Sequence, residues 1–503
     1  MVDMASSIDT EPLGSGQRPG RRGGKLLLLG SSVAQISALL RYVVLARLLG
    51  PEQLGLAATI VITGSFFDLI SETGSDRFLV QDRDGDSAEV QKLVQLVYVG
   101  RGLLICLSLA VFAVPISHFY EASKLAIGLA VLGLSPLILG FLHLDIRRQQ
   151  RREDFRSEAV SLIAAESCSL VVTAAAAFLT RDFTAILYGL ITRALVMTLV
   201  SHLRAERPYA LGFSRVHAPR LTKFAAPLML TGLMLFVGSQ GDRVVVANLL
   251  GFRALGHYSA VLLLIYYPSA MILRYIHSIS VPMMVAVRDD AGRQNSVGDR
   301  LGGQTFLLAA AMCVGFAVVA PFAVPLLYGA RYSQGALIIG LIGILQTTRF
   351  LIVWPTTVAL SVGRTRTVML SNLIRLVAYP CAFLGVWWLG GLEGVVAGFV
   401  AGELFSIAAA LVLANRDMNR PSFTGFGRFA DFVMISSAVI LVDLAGTRTS
   451  TWSWGSALAA LGIGIAVLIR VARREAEILE VAFLLLWTTL RRARAAIGGT
   501  VDG

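Results

Sequence analysis

Ionisable side chains inside long apolar segments are the residues of this 503-residue chain with the greatest capacity for chemistry. Placing such a side chain at the middle of a membrane helix costs about 2.5 to 3.5 kcal/mol, so it must face water, a ligand or an opposite charge. Guanidinium groups bind phosphate through paired hydrogen bonds, which makes arginine a candidate for holding an anionic substrate. We assign substrate binding to Arg41, Arg243, Arg274, Arg349 and Arg375.

Carboxylates in the same segments are candidates for coupling an ion or for pairing between the two halves of the chain. They are Asp68, Glu72, Asp242 and Glu403. In the second half, four of the arginines stand against only two of these carboxylates, and this cationic surplus favours an anionic substrate. We predict no catalytic residue, metal site or cofactor, because the chain has neither metal-ligand spacing nor a phosphate-binding loop of the Gly-x-x-x-x-Gly-Lys-Ser/Thr type.

The composition of the chain indicates which structural elements hold these charged side chains in place. Hydrophobic residues make up 55% of the chain, charged residues 15%, and the mean hydropathy is +0.71. Apolar segments of about 20 residues recur along it, which indicates an all-α, multi-pass membrane protein, since lipid offers no hydrogen-bond partner to an open backbone. The net charge of +12 comes from arginines in alternate loops. This pattern predicts that both termini are cytoplasmic and argues against a nucleic-acid partner.

The apolar segments predict about fourteen spans, at 26–49, 54–79, 92–116, 122–143, 157–180, 183–203, 222–250, 256–287, 301–328, 334–362, 367–390, 393–414, 429–446 and 452–470. They divide the chain into a disordered cytoplasmic tail (1–25), a first lobe (26–203), a cytoplasmic linker (204–221), a second lobe (222–414), two further spans (429–470) and a cytoplasmic interfacial helix with a tail (471–503).

Two segments recur in the same order. Ala46-Arg-Leu-Leu-Gly-Pro-Glu-Gln-Leu-Gly55 matches Ala247-Asn-Leu-Leu-Gly-Phe-Arg-Ala-Leu-Gly256 at an offset of 201 residues, and a Phe-Ala-Val-Pro segment recurs at an offset of 210. The offsets cover six spans, so the lobes are two six-helix repeats inserted in the same orientation. Arg41 and Asp242 occupy equivalent positions, and we expect them to bridge the lobes.

The repeated hairpin, with Asp242 and Arg243 before its second copy and Tyr258 after it, resembles the polysaccharide transporter family. That family belongs to the superfamily of multidrug, oligosaccharidyl-lipid and polysaccharide exporters, and its Wzx-type members flip lipid-linked oligosaccharides. The resemblance implies two lobes around a cavity that opens alternately to each side. It also implies a polyprenyl-diphosphate-linked oligosaccharide as the substrate, moved outward across a bacterial inner membrane for cell-surface polysaccharide synthesis.

Two other functions stay open at this point. An organic cation or drug antiporter of the same superfamily would need an acidic surplus in its cavity. A membrane-embedded polysaccharide polymerase or ligase would need a sizeable outer loop, and the predicted outer loops are short. We therefore expect a transporter and not an enzyme. The sequence leaves open whether other polysaccharide assembly proteins bind it, and which ion or potential drives it.

Overall fold

The structure, a computed structural model, describes residues 20–287, 290–421 and 425–448, with a few residues between 462 and 471. Within these residues the regular elements are helices. The predicted tail up to residue 19, most of the fourteenth span and nearly all of the interfacial segment at 471–503 lie outside the described residues.

Nine helices make up the first lobe: α1 (Gly20–Leu49), α2 (Pro51–Ile70), α3 (Ser75–Gln81), α4 (Ala88–Phe119), α5 (Leu125–Leu132), α6 (Leu134–Gly140), α7 (Asp145–Arg151), α8 (Arg156–Thr180) and α9 (Ala185–Leu203). The second lobe contains α10 (Ala218–Ala286), α11 (Ala291–Tyr328), α12 (Ala336–Leu351), α13 (Val353–Ser361), α14 (Thr365–Ile374), α15 (Ala378–Leu389) and α16 (Gly391–Asp417). Helix α17 (Phe426–Arg448) follows both lobes.

The expected multi-pass helical bundle is confirmed. Ten of the described helices are long and apolar enough to cross a membrane, and the pair 125–140 and 145–151, bent by 53°, makes an eleventh. Helix α10 is interrupted at Gly251, where φ is 79° and ψ is 178°, and so accounts for two predicted spans. The two six-helix repeats are therefore present.

Prolines explain why three predicted spans are broken. Helices α5 and α12 each end four residues before a proline, Pro136 and Pro355, and a 3-10 turn at 375–377 precedes Pro380. A proline lacks an amide hydrogen and its ring clashes with the carbonyl four residues earlier, which favours a break at these positions, although α4 and α11 continue through Pro115, Pro321 and Pro325. Two of these breaks lie in equivalent spans, the fourth and the tenth.

Two span boundaries differ from the prediction. Helix α1 begins at Gly20, inside the stretch assigned to a disordered tail. The second span ends at Ile70, because Glu72 Oε1 accepts a hydrogen bond from the Gly74 amide at 2.9 Å and Gly74 adopts a left-handed φ of 58°. Placing Glu72 inside a membrane helix was wrong, since it lies in the turn that follows α2.

The repeated motif forms two hairpins of the same shape. Gly50 has φ 89° and ψ 172°, and its counterpart Gly251 has φ 79° and ψ 178°. Only glycine adopts this backbone conformation without strain. We call the side of the bundle that contains these two glycines the hairpin end, and the opposite side, which contains α7, the arginine-rich end. By the expected topology the hairpin end faces outward.

The last glycine of each motif lets the two lobes approach closely. A Cβ atom built on Gly55 would lie 1.9 Å from the Phe252 carbonyl oxygen, and one built on Gly256 would lie 1.9 Å from that of Pro51. The two contacts are equivalent under the repeat. The motif thus forms a reciprocal contact between α2 and the second part of α10.

At the arginine-rich end, a buried ion pair attaches α7 to the linker between the lobes. Arg148 Nε lies 2.5 Å from Asp145 Oδ1, and the Glu206 amide donates to Asp145 Oδ2 at 2.7 Å. Burial raises the pKa of Asp145, but the hydrogen bonds from Arg148 and from the Glu206 amide outweigh it, so the pKa lies below its usual value. Asp145 is therefore ionised at neutral pH.

We predict that Gly55→Leu and Gly256→Leu each destabilise the folded protein by at least about 1 to 3 kcal/mol, because the new side chain must displace backbone of the other lobe. The measurement is the thermal unfolding midpoint in detergent. Gly315→Leu is the matched control, since a Cβ atom there meets no atom within 4 Å. Equal midpoints for all three variants would contradict the reciprocal contact.

Candidate functional site

The first lobe holds a buried ion network centred on Glu166 of α8. Arg41 Nη2 of α1 lies 2.6 Å from Glu166 Oε2, and Arg193 Nε of α9 lies 2.5 Å from Glu166 Oε1. Arg41 also donates to the Ser169 hydroxyl at 2.7 Å. The side chains of Arg41 and Glu166 are each only 7% exposed. Two guanidinium groups share one carboxylate, so this network carries one net positive charge.

The second lobe holds a corresponding network with four members. Arg349 of α12 contacts Asp242 of α10 at 2.9 Å and Glu403 of α16 at 3.0 Å. Arg375, in the 3-10 turn before α15, contacts Glu403 at 2.7 Å. The Tyr258 hydroxyl donates a further hydrogen bond to Asp242. This network is electrically neutral, and it joins four different spans.

The two networks use equivalent positions with opposite signs. Arg41 corresponds to Asp242 at an offset of 201 residues, Glu166 to Arg375 at 209, and Arg193 to Glu403 at 210. In each lobe the first, fifth and sixth spans supply these three charges. The duplication has therefore kept the positions of the charges and reversed the sign of each one.

The expected bridge between Arg41 and Asp242 is not formed in this conformation. Arg41 pairs with Glu166 and Asp242 pairs with Arg349, so each charge is neutralised inside its own lobe. The physical reason is that a buried charge left without a partner is costly, and each lobe supplies a nearer partner than the other lobe does. Glu403 likewise pairs within the second lobe, and not between lobes.

Arg243, the residue after Asp242, differs from these paired arginines. It is 6% exposed, and its Nη1 donates to Gln240 Oε1 at 2.9 Å. Its Nε has no hydrogen-bond partner, and it forms no salt bridge with any side chain that the structure describes. Tyr42 of the first lobe and Tyr267 of the second lie near Arg243. Arg243 therefore offers unused donors where the two lobes meet.

Arg274 lies on the second part of α10 with no salt-bridge partner among the described side chains, and it is exposed. It follows Tyr267 by seven residues, which places both on one face of the helix. Of the five arginines predicted to bind substrate, Arg41, Arg349 and Arg375 are thus engaged with carboxylates, while Arg243 and Arg274 are available.

The remaining candidate carboxylates, Asp68 and Glu72, lie beside Arg101 in the first lobe, and Asp68 lines a cavity there. Arg101 of α4 lies 3.6 Å from Asp68 and 3.7 Å from Glu72, and the Asp68 side chain is 58% exposed. The cavity has a volume of about 180 Å³, and its lining includes Asp68, Arg101 and Arg193. This site holds carboxylates in contact with open space, unlike the two buried networks.

Two further contacts cross between the lobes at the hairpin end. Arg47 Nε donates to the Leu327 carbonyl at 2.7 Å, and Asn248 Nδ2 donates to the Phe119 carbonyl at 3.1 Å. Arg47 and Asn248 are equivalent residues of the repeated motif. Each binds a carbonyl at the C-terminal end of a helix in the other lobe, where such groups lack intrahelical partners. We call these two contacts the outer latch.

Sequence reasoning missed Tyr42, Gln240 and both residues of the outer latch. Nothing in the local sequence distinguished Tyr42 from the many aromatic residues that pack in membrane helices. The latch residues did carry a signal, because they lie inside the repeated motif.

We predict that Glu403→Ala destabilises the protein by about 3 to 5 kcal/mol, since it leaves Arg349 and Arg375 without their shared carboxylate. Glu393→Ala, an exposed position on the same helix, is the matched control and should change stability by less than about 0.5 kcal/mol. Chemical unfolding in detergent measures both. Similar losses for the two variants would show that the network does not stabilise the second lobe.

Comparison with known proteins places these features in a family. Residues 44–336, more than half of the chain, match the model of a polysaccharide biosynthesis protein family. The succinoglycan biosynthesis transport protein ExoT of Rhizobium meliloti (strain 1021) is 27% identical over 306 residues, covering 60% of this chain and 61% of that protein. The lipopolysaccharide biosynthesis protein WzxC of Escherichia coli (strain K12) is 21% identical over 315 residues, covering 61% of this chain and 62% of that protein. The match spans about three fifths of each relative.

Solved structures share the fold over most of the chain. The lipid II flippase MurJ in an inward closed conformation aligns with a TM-score of 0.64 at 15% identity, covering 90% of this chain and 99% of MurJ. An inward-facing multidrug resistance transporter of the MATE family, in the MOP superfamily, aligns with a TM-score of 0.57 at 15% identity. The alignment covers 81% of this chain and 94% of that transporter. With its duplicated six-helix lobes and its match over residues 44–336, the chain belongs to the polysaccharide biosynthesis protein family, and it has the fold of the multidrug, oligosaccharidyl-lipid and polysaccharide exporters.

Proposed function

We propose that the protein is a flippase that carries a polyprenyl-diphosphate-linked oligosaccharide from the cytoplasmic to the outer leaflet of a bacterial inner membrane. The product would serve cell-surface polysaccharide synthesis. The single observation that carries this proposal is Arg243, a buried guanidinium between the lobes whose Nε has no hydrogen-bond partner among the described residues. Transport of this kind makes and breaks no covalent bond, so the proposal requires no catalytic residue.

The charge around Arg243 suits a diphosphate. In the first lobe, the surplus positive charge of Arg41 and Arg193 over Glu166 is offset by Asp68 and Glu72 beside Arg101. The network of the second lobe is neutral, and Arg243 and Arg274 add one positive charge each. A diphosphate entering between the lobes would gain charge-assisted hydrogen bonds from the buried Arg243 and the exposed Arg274. We propose Arg243 and Arg274 as the primary contacts. Arg41 would reach the anion only by sharing its bonds with Glu166, and Arg349 and Arg375 act mainly by fixing the second lobe.

Tyr42 and Tyr267 give this site a second kind of contact. They belong to different lobes, and both lie within the electrostatic influence of Arg243. Aromatic rings present apolar faces and a polar hydroxyl, which suits the sugar next to a diphosphate. The lipid chain would stay in the bilayer, where it needs no protein site.

Alternating access fits the way the contacts are distributed. The two buried ion networks hold helices together inside each lobe, whereas the outer latch joins the lobes at the hairpin end through only two side chains bonded to helix ends. Breaking the latch leaves both buried networks intact. We propose that the lobes move as rigid units about the contact between Gly55 and Phe252 and its equivalent, and that the hairpin end is closed in this conformation.

The membrane potential can supply part of the drive. With the cytoplasm negative, moving one negative charge outward gains about 2.3 kcal/mol per 100 mV. We propose Asp68 and Glu72 for coupling an ion, because they contact open space beside Arg101. Asp242 and Glu403 are held by arginines and serve in pairing within the second lobe.

Substituting Arg243 tests the function directly. In a strain that depends on this protein, Arg243→Gln should lower the rate at which diphosphate-linked oligosaccharide reaches the outer leaflet by about 10-fold to 100-fold, because charge-assisted hydrogen bonds are lost. Arg243→Lys should recover part of the rate. Arg253→Gln, at an exposed position of the same helix, is the control and should transport like the unmodified protein.

The proposal fails if Arg243→Gln is folded, judged by gel filtration and thermal unfolding, and still transports at the original rate. Loss of organic cation export with normal oligosaccharide delivery would instead identify an antiporter. No accumulation of substrate on the inner leaflet after deletion of the gene would likewise reject the flippase.

Removing the outer latch tests alternating access. Arg47→Ala combined with Asn248→Ala should shift the population at least about tenfold toward states open at the hairpin end. The substitutions remove three hydrogen bonds of about 0.5 to 1.5 kcal/mol each, from Arg47 to the Leu326 and Leu327 carbonyls and from Asn248 to the Phe119 carbonyl. In a background without the native cysteines, a cysteine at the fully buried Leu255 reports this as faster maleimide labelling. Arg253→Ala is the control. An unchanged labelling rate would argue against the latch.

A further inference from the structure

Helix α17 lies outside both six-helix repeats and carries a buried acid, Asp443. This residue is 6% exposed and faces the second lobe. Its neighbour on α12 is Gly340, where a Cβ atom would lie 2.0 Å from Asp443 Oδ2. The glycine therefore leaves room for the carboxyl group at the contact between α17 and α12.

The carboxyl group lacks hydrogen bonds that an ionised acid would need. Among the residues that the structure describes, Asp443 Oδ2 is buried without a hydrogen-bond partner. Ser436, two turns earlier on the same helix, also has a buried hydroxyl. Both lie near the Cys313 thiol of α11, which also neighbours Thr347 of α12. This small polar region is otherwise enclosed by apolar side chains.

No positive charge faces this acid from the described parts of the helices around it. The titratable group opposite it on α11 is the Cys313 thiol. Arg349 of α12 is engaged by Asp242 and Glu403, and Glu403 is the buried acid that α16 contributes.

On its own helix, the other buried acid within the described span of α17, Asp431, lies 3.7 Å from Arg470. By contrast, Glu166, Asp242 and Glu403 each have an arginine within 3.0 Å. Within the described part of the chain, Asp443 is thus a buried carboxyl group with neither a counter-charge nor a donor on Oδ2.

Such a group is far more stable with a proton than without one. Ionising a carboxyl group in an apolar interior is so unfavourable that the group binds a proton instead. Acids inside membrane segments also tend to serve in proton or ion pathways. The proton would neutralise Asp443 and turn one carboxyl oxygen into a hydrogen-bond donor. The adjacent Ser436 hydroxyl or Cys313 thiol can accept that hydrogen bond.

We propose that Asp443 is a proton-binding site, which holds a proton while α17 packs against Gly340 of α12 and releases it when the two helices separate. The site lies apart from the central arginines and from Asp68 and Glu72. Its occupancy by a proton does not depend on what the protein transports. Its coupling to substrate movement rests on the proposed flippase function.

Chemical labelling of the full chain in proteoliposomes tests the site. A hydrophobic carbodiimide modifies protonated carboxyl groups in apolar surroundings, and mass spectrometry locates the adduct. We expect labelling of Asp443 at neutral pH that falls several-fold as the pH is raised, and no loss of Asp443 labelling in the control variant Asp431→Asn. Absence of a label on Asp443, or labelling that does not vary with pH, would overturn the proposal.

Infrared spectroscopy gives a second readout that needs no reagent. The carbonyl band of a protonated carboxylic acid at neutral pH should disappear in Asp443→Asn and persist in Asp431→Asn. Persistence of the full band in a folded Asp443→Asn would reject the site. If the Asp443 band is present while Arg243→Gln leaves transport unchanged, the proton site stands and the flippase function fails, so the two failures are distinguishable.

Discussion

The fold depends on the pairing of guanidinium groups with carboxylates inside the membrane. An isolated charge in that environment is costly, whereas a pair with good geometry tolerates burial. Glu166 in the first lobe and Arg349 in the second each contact two opposite charges, and so each links three helices. These contacts fix which helices belong to which lobe. They also decide which arginines remain free for an anion.

Reversal of the charges between the lobes has a consequence for binding. If both lobes carried the signs of the first one, each would have an uncompensated positive charge. Because Asp242 and Glu403 take the places of Arg41 and Arg193, the second network, with Arg349 added, is neutral. In the first lobe, Asp68 and Glu72 beside Arg101 offset the surplus around Glu166, so the positive charge without a carboxylate partner among the described side chains lies at Arg243 and Arg274. An anion between the lobes meets an asymmetric site built on a symmetric scaffold.

Hydropathy and repetition in the sequence were sufficient to predict much of the fold. The apolar lengths predicted the spans, and the two copies of the motif predicted the duplication. The breaks within spans were harder to predict from hydropathy, although Pro136 and Pro355 indicate two of them, because proline disfavours a continuous helix. The position of Glu72 was wrong because one side-chain hydrogen bond to Gly74 ends α2 early, and hydropathy does not report such bonds.

The candidate site was harder to predict, because sequence lists charges without their partners. The sequence identified Arg349 and Arg375 as charges inside membrane segments, but both form ion pairs with Glu403.

The order of the charges along the chain also bears on biogenesis. Arg41, Glu166 and Arg193 are all synthesised before α10 begins, so the first lobe can complete its network while the second is still on the ribosome. Asp242, in contrast, must wait for Arg349 to be inserted more than a hundred residues later, so the second lobe can mature only after most of it has entered the bilayer.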